Sequence, residues 1–105
     1  MSTQGTPPNS FPLGLIGVGL LGTALAERLL TAGFSVLGND VDPARALALS
    51  QLGGEPASTA AIFRRCRRVI LSLPTHREVD TLLRAHAKEL TGEMTIIDTT
   101  TGDPD

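Results

Sequence analysis

Three glycines near the start of the chain have the spacing of a phosphate-binding turn. Residues 15–22 read L-I-G-V-G-L-L-G, a G-x-G-x-x-G pattern between an apolar run and a helical pattern. The first glycine permits a tight turn, the second lets backbone approach a pyrophosphate, and the third allows close helix–strand packing. The N–H groups and the positive dipole end of the helix would face the phosphates. The residues predicted to bind a dinucleotide here are Gly17, Val18, Gly19, Leu20, Leu21 and Gly22.

An acidic residue follows at the distance expected of a ribose ligand. Asp40 ends the next apolar run, about 20 residues after the turn, where a carboxylate can accept hydrogen bonds from the adenosine ribose. The alternative is an ordinary surface-turn aspartate, and the upstream glycines favour the ribose role. Asp40 would repel the 2′-phosphate of NADP and the neighbouring Val41 is uncharged, which favours NAD. Arg45 could still reach such a phosphate.

The composition restricts the class of protein. At 105 residues the chain holds one domain, and with 41% apolar but only 3% aromatic residues its core must be aliphatic. The net charge of −2 points to neither nucleic acid nor a membrane surface, and a single cysteine excludes an internal disulfide. No stretch approaches the roughly 18 apolar residues that span a bilayer. The start of the chain does not resemble a secretory signal, so a cytoplasmic location is expected.

Strand and helix patterns alternate along the chain, which predicts a Rossmann-like, doubly wound parallel sheet. Residues 1–11 are expected to be a disordered tail and residues 12–105 the domain. The predicted strands are Leu13–Gly17, Phe34–Asn39, Glu55–Ala57, Val69–Leu73 and Met94–Ile97. Because ligands of such sheets bind at the carboxyl ends of the strands, the glycine turn and Asp40 are expected to lie together.

Capping and periodicity signals predict the helices. The first helix should cover about 20–32, with a buried stripe of Leu21, Leu25, Leu29 and Ala32. Asp42 before Pro43 should cap the second helix, Ser58 or Thr59 a short third one, and Thr75, three residues before Glu78, the fourth. The inward residues of the fourth helix are predicted to be Val79, Leu82, Leu83 and Leu90.

The segment from Leu15 to Leu29 resembles the opening signature of the β-hydroxyacid dehydrogenases, which include 3-hydroxyisobutyrate dehydrogenase, tartronate semialdehyde reductase and related imine reductases. It matches at every glycine and at Ala26, Arg28 and Leu29, with conservative departures at Val18, Leu21 and Leu25. The resemblance implies a nicotinamide cofactor and hydride transfer to or from a small β-hydroxy acid or semialdehyde. It also implies that Val41 stands where NADP-binding relatives carry an arginine.

Two further motifs extend the resemblance over about residues 13–104. Leu73-Pro74 matches the family's L-P pair, which implies a position beside the nicotinamide ribose. The segment 98–104, D-T-T-T-G-D-P, is similar to the family's D-x-S-T-x-x-P, with Thr100 in place of serine. This implies that Thr100, Thr101 and Gly102 contact the substrate carboxylate and that Thr100 also lies beside the cofactor. The alternative is a polar turn whose hydroxyls satisfy backbone groups.

The family's catalytic lysine has no counterpart in this chain. The only lysine, Lys88, falls in a surface pattern, so no residue is assigned a catalytic role. The chain therefore looks like the amino-terminal part of such an enzyme, truncated after about the fifth strand, without an all-helical second domain and expected to form a homo-oligomer when complete. The alternative function is a non-catalytic module that senses a dinucleotide.

The remaining chemically distinctive residues have ordinary interpretations. His76 and His86 are predicted to be helix-surface residues rather than catalysts. Cys66 lies between two pairs of arginines, which could lower its pKa and make it reactive, but a plain structural cysteine is favoured. The arginine-rich segment 64–68 is predicted to be a solvated helix end rather than a phosphate or nucleic-acid patch.

Overall fold

Strands and helices alternate along the chain as the sequence predicts. The structure, a computed structural model, describes residues 11–90 and 92–99, so the expected tail over 1–10 and the predicted roles of Thr100, Thr101 and Gly102 fall outside the described residues. The described strands are β1 (Leu13–Ile16), β2 (Val36–Asn39), β3 (Glu55–Pro56), β4 (Arg68–Leu71) and β5 (Thr95–Asp98). The described helices are α1 (Gly19–Thr31), α2 (Pro43–Gln51), α3 (Thr59–Arg65) and α4 (His76–Ala85).

The strands form one parallel sheet in the order β3-β2-β1-β4-β5. The chain runs outward from β1 to β3 and then returns to the other side of β1, so the direction of winding reverses between β1 and β4. A doubly wound fold binds its ligands beside such a switch point, at the carboxyl ends of the strands. The predicted fold class is confirmed.

Apolar side chains fill a layer on each face of the sheet. On one face Leu15 and Val36 pack with Ala26 of α1 and Leu49 of α2. On the other face the strands pack against α3 and α4, and the buried members of this cluster are Ile16, Leu37, Ile62, Phe63, Cys66, Val69, Leu71 and Val79. Because both faces are covered, β1 and most of β2 and β4 are apolar, as in other parallel sheets.

Side chains cap three of the helices where the sequence predicts. Asp42 accepts a hydrogen bond from Ala44 N at 3.0 Å and precedes Pro43, the first residue of α2. Ser58 Oγ accepts from Ala61 N at 3.1 Å, and Thr75 Oγ1 accepts from Glu78 N at 3.2 Å. Each cap satisfies an N–H group that the first helical turn leaves without a backbone partner.

The predicted buried stripe of α1 is correct only in part, since Leu25 and Leu29 are half-buried and Leu29 packs against the core. Leu21 and Ala32 are exposed, whereas Gly22 and Ala26 are buried, with Leu29 only partly buried. The reason is the glycine: a Cβ at Gly22 would lie 3.0 Å from the carbonyl oxygen of Gly17. The helix contacts the sheet through its small residues Gly22 and Ala26, and its leucines lie on either side of these two residues.

Several predicted boundaries are also corrected. The fourth strand begins at Arg68 and ends at Leu71, two residues before Leu73, while the last strand is shifted by one residue to Thr95–Asp98. The fourth helix ends at Ala85, so Leu90 packs against the core from the segment after it.

The first two strands are shorter than predicted because glycines of positive φ turn the backbone. β1 ends at Ile16 because Gly17, with φ +87°, begins the turn. β2 begins only at Val36, because Gly33, with φ +98°, ends α1 and Phe34 N donates to Leu29 O at 3.0 Å.

Candidate dinucleotide-binding site

The glycine turn between β1 and α1 is shaped by close contacts that exclude side chains. Gly17 has φ +87°, and a Cβ there would overlap the carbonyl oxygen of Ser72 in the segment after β4. Gly19 has φ +50°, but a Cβ there would meet only Arg45 Nη1, at 3.8 Å. The first glycine therefore packs against protein, whereas the second leaves bare backbone open to a ligand, as a pyrophosphate requires.

The N-terminus of α1 carries no negative charge of its own. No side chain in the described part of the chain caps this helix, and its first turn contains no acidic residue. The N–H of Val18, just before the helix, donates to Asp40 Oδ2 at 2.7 Å. The N–H groups of the first turn and the positive end of the helix dipole suit an anion.

Asp40 is fixed at the end of β2 by two backbone donors. Oδ2 accepts from Val18 N at 2.7 Å and Oδ1 accepts from Asp42 N at 2.8 Å. A carboxylate has about four lone-pair sites, so each oxygen keeps one for a further donor. The half-buried carboxylate is thus locked against the glycine turn with capacity to accept from two hydroxyl groups.

A groove of about 760 Å³ runs along this edge of the sheet, within the size range of small-molecule sites. Its lining includes Gly17, Gly19, Asn39, Asp40, Val41, Arg45, Thr59, Ser72, Leu73, Pro74, Arg77, Glu78, Thr81, Leu82 and Ala85. The structure thus brings together the glycine turn, Asp40, Val41 and the Leu73-Pro74 pair. The lining does not include Val18, Leu20, Leu21 or Gly22: Leu20 and Leu21 are 86% and 51% exposed, whereas Val18 and Gly22 are buried.

Sequence reasoning missed a hydrogen bond beside the groove and an acidic side chain close to it. Thr59 Oγ1 lies 2.9 Å from His86 Nε2, and His86 Nδ1 lies 3.4 Å from Glu89 Oε1. The imidazole also packs against the ring of Phe63, with centroids 5.2 Å apart. The sequence predicts His86 to be a helix-surface residue rather than a catalyst, and the structure corrects its placement: it is the partly buried residue that ends α4. Thr59 and His86 are 27 positions apart, and no local pattern marks that pairing.

The other distinctive residues lie away from the groove. Burial raises the pKa of the Cys66 thiol from 9.0 to about 11, opposed by the nearby charge of Arg65, so the thiol is not activated. Arg65 pairs with Glu55 at 3.3 Å and Arg67 with Glu93 at 3.5 Å, all with exposed side chains. Arg65 is thus a solvated residue at the end of α3, as predicted, whereas Arg67 lies beyond that helix.

His76 lies at the carboxyl edge of the sheet, close to a carboxylate. Its Nδ1 is 3.8 Å from Asp98 Oδ2. Among the described residues, no group of three or more acidic, histidine or cysteine side chains is arranged to hold a metal ion. Within the same ranges, no helix has the length and apolar character to cross a membrane.

The reversed winding of the sheet, the open glycine turn and the locked Asp40 define a doubly wound dinucleotide-binding domain. Within that class, the chain belongs to the family of the NAD-binding domain of 6-phosphogluconate dehydrogenase, whose family model matches residues 12–105. The resemblance seen in the sequence is confirmed by this match, and the structural neighbours include a 3-hydroxyisobutyrate dehydrogenase and imine reductases.

Individual relatives agree with this assignment. An NAD(+)-dependent, decarboxylating 6-phosphogluconate dehydrogenase of Haloferax volcanii is 32% identical over 90 residues, which cover 82% of this chain and 30% of the relative. The 3-hydroxyisobutyrate dehydrogenase of Mycobacterium tuberculosis, solved with L-serine, shares the fold with a TM-score of 0.81 at 24% identity, over 87% of this chain and 32% of that one.

The imine reductase of Myxococcus stipitatus is similar at 26% identity. Its complex with NADP+ gives a TM-score of 0.79 over 87% of this chain and 32% of that chain. A variant of the same enzyme, solved with NAD+, gives a TM-score of 0.80 over 88% of this chain and 32% of that chain. The chain thus spans about a third of the length of these relatives.

Proposed function

We propose that the chain is the cofactor-binding part of an oxidoreductase that acts on a small β-hydroxy acid or semialdehyde. The observation that carries the proposal is the pairing of an open Gly19 with an uncapped helix N-terminus and a locked acceptor at Asp40. These are the three features that a pyrophosphate and its adjoining ribose require. A bound nicotinamide supplies the hydride chemistry, while the chain's own residues bind and orient the cofactor.

NAD is the proposed cofactor, in preference to NADP. Asp40 would face the 2′-phosphate with a like charge, and Val41 offers no guanidinium to hold it. Arg45 lies beside the glycine turn, with Nη1 3.8 Å from the Cβ position of Gly19 and Nε 3.8 Å from Asp42 Oδ2. A cation in that place favours the pyrophosphate, which both cofactors share.

The substrate is proposed to bind at the end of the sheet beside β4 and β5. Thr99 Oγ1 donates to Leu71 O at 2.8 Å, which ties the segment leaving β5 to the end of β4. This supports the placement of Thr100, Thr101 and Gly102, which follow directly, as contacts for a substrate carboxylate. The proposal keeps the cytoplasmic location and the homo-oligomeric state expected from the sequence.

Replacing Gly19 with valine tests the phosphate site. Gly19→Val places a branched side chain on the backbone that must approach the pyrophosphate, so binding of NAD+ measured by calorimetry should be lost. Gly53→Val is the matched control: Gly53 also has positive φ (+104°), and a Cβ there meets nothing within 4 Å. That variant carries at least as much backbone strain outside the groove and should bind NAD+ as the unmodified chain does. Unchanged affinity in Gly19→Val would place the phosphate site elsewhere.

A further inference from the structure

A groove of about 590 Å³ lies at the amino ends of β4 and β5. Arg67 directly precedes β4, Met94 directly precedes β5, and both line it. The groove beside the glycine turn is lined instead by Gly17 and Ser72, which directly follow β1 and β4. Because the strands are parallel, their amino ends share one edge of the sheet and their carboxyl ends the other. This amino-edge groove is therefore separate from the proposed dinucleotide site.

Apolar side chains make up part of the lining of the amino-edge groove. Phe63, Cys66 and Met94 line it, and Phe63 and Cys66 are almost fully buried. Phe11 lines it as well, and the centre of the Arg67 guanidinium lies 4.2 Å from the centre of the Phe11 ring. The volume is within the range of small-molecule sites. A ligand in this groove could therefore bury an apolar body.

The same lining holds two cations without a carboxylate partner, Arg64 and Lys88. Within residues 11–90 and 92–99, neither of these side chains takes part in an ion pair, whereas Arg65 and Arg67 each have one. Oε1 of Glu89, a carboxylate in this lining, lies 3.4 Å from an imidazole nitrogen outside it. An anion in the groove would thus meet positive charge that the described chain leaves unpaired.

We propose that the amino-edge groove binds a small organic acid that has one carboxylate on an apolar body of several carbons. The carboxylate pairs with Arg64 and Lys88, and the apolar body packs against Met94. A single charge fits better than a phosphate, because Glu89 and Glu93 in the same lining repel a doubly charged anion more strongly. The inference is independent of the proposed function, since among the described residues no member of this lining also lines the groove beside the glycine turn.

Calorimetric titration of the unmodified chain with sodium octanoate tests the inference. Acetate keeps the carboxylate and 1-octanol keeps the apolar chain, so we expect octanoate to bind about tenfold more tightly than either, with one molecule per chain. Its affinity should be the same in the presence of NAD+. The inference is wrong if octanoate does not bind, if acetate or 1-octanol binds equally well, or if NAD+ displaces octanoate.

Substitution of the two unpaired cations tests the role of charge. Arg64→Gln and Lys88→Gln should each weaken octanoate binding about threefold, the scale of an exposed ion pair, and the double variant about tenfold. Arg28→Gln is the matched control, because Arg28, like Arg64, lies in the last turn of a helix but does not line the groove. Unchanged affinity in the double variant, or an equal loss in Arg28→Gln, would overturn the inference.

The methyl resonance of Met94 reports whether octanoate occupies this groove. Since Met94 is in the lining, its methyl signal, assigned with the Met94→Leu variant, should shift during the titration. The shift should saturate at the dissociation constant that calorimetry gives. If calorimetry shows binding while the Met94 signal does not move, octanoate binds elsewhere and the proposal fails.

Discussion

At the scale of single residues, the site depends on atoms whose positions are fixed by backbone contacts. The sequence predicts Gly17, Gly19 and Asp40 correctly as neighbours because each has a recognisable type at a recognisable distance. It does not predict that Asp40 is held by the N–H groups of Val18 and Asp42, since those bonds depend on the exact path of the turn. For the same reason, no sequence pattern predicted that the hydroxyl of Thr59 lies beside the groove.

The two bonds to Asp40 make a specific prediction for its amide variant. In Asp40→Asn one side-chain oxygen becomes an amino group that cannot accept, and the charge that repels a 2′-phosphate is removed. We expect the affinity for NAD+ to fall about tenfold and the preference over NADP+ to narrow, by titration of both cofactors. Asp80→Asn makes the same chemical change on an exposed face of α4, where Asp80 pairs with Arg84 at 2.8 Å, and should alter neither affinity. If the ratio of the affinities for NAD+ and NADP+ were unchanged in Asp40→Asn, Asp40 would not be the residue that selects the cofactor.

At the scale of elements, capping signals were better guides than apolar periodicity. Asp42, Ser58 and Thr75 cap their helices as the sequence predicts, because a cap is a local hydrogen bond within three residues. The buried face of α1 was mispredicted because it depends on how closely the helix approaches the sheet, and Gly22 sets that distance through a contact with Gly17. Sequence patterns therefore predict a helix end correctly when the stabilising hydrogen bond joins residues close in the chain, but not a buried face that depends on packing between elements.

Removing the side chain that caps α4 should destabilise the domain. Thr75→Ala removes the acceptor for Glu78 N and should lower the free energy of unfolding by about 1 kcal/mol. Urea denaturation followed by circular dichroism measures the change. Thr75→Ser retains the hydroxyl and should keep most of the stability. An equal loss in both variants would mean that packing of the threonine methyl group, rather than the cap, stabilises this end of the helix.

At the scale of the whole molecule, the described residues form a groove beside the glycine turn and another groove elsewhere on the domain, and of these two the first has the features of a dinucleotide site. The groove beside the glycine turn joins an uncapped helix N-terminus to a fixed carboxylate. The other, of about 590 Å³, is lined by the arginine segment, Lys88 and Glu93, and its cations are partly paired with carboxylates. The doubly wound parallel sheet and the position of the first groove followed from the alternation of patterns, whereas the order of the strands and the second groove required the folded chain.

Amide resonances of the isotope-labelled chain, recorded during addition of NAD+, test the central claim most directly. If the dinucleotide binds across the carboxyl edge, the amides of Gly19, Leu20 and Leu21 and those beside Asp40 should shift together and saturate at one dissociation constant. The amides of the arginine segment 64–68 should stay in place. Shifts that cluster instead around Arg64, Arg65 and Lys88, with the glycine turn unmoved, would contradict the assignment of this turn as the phosphate site.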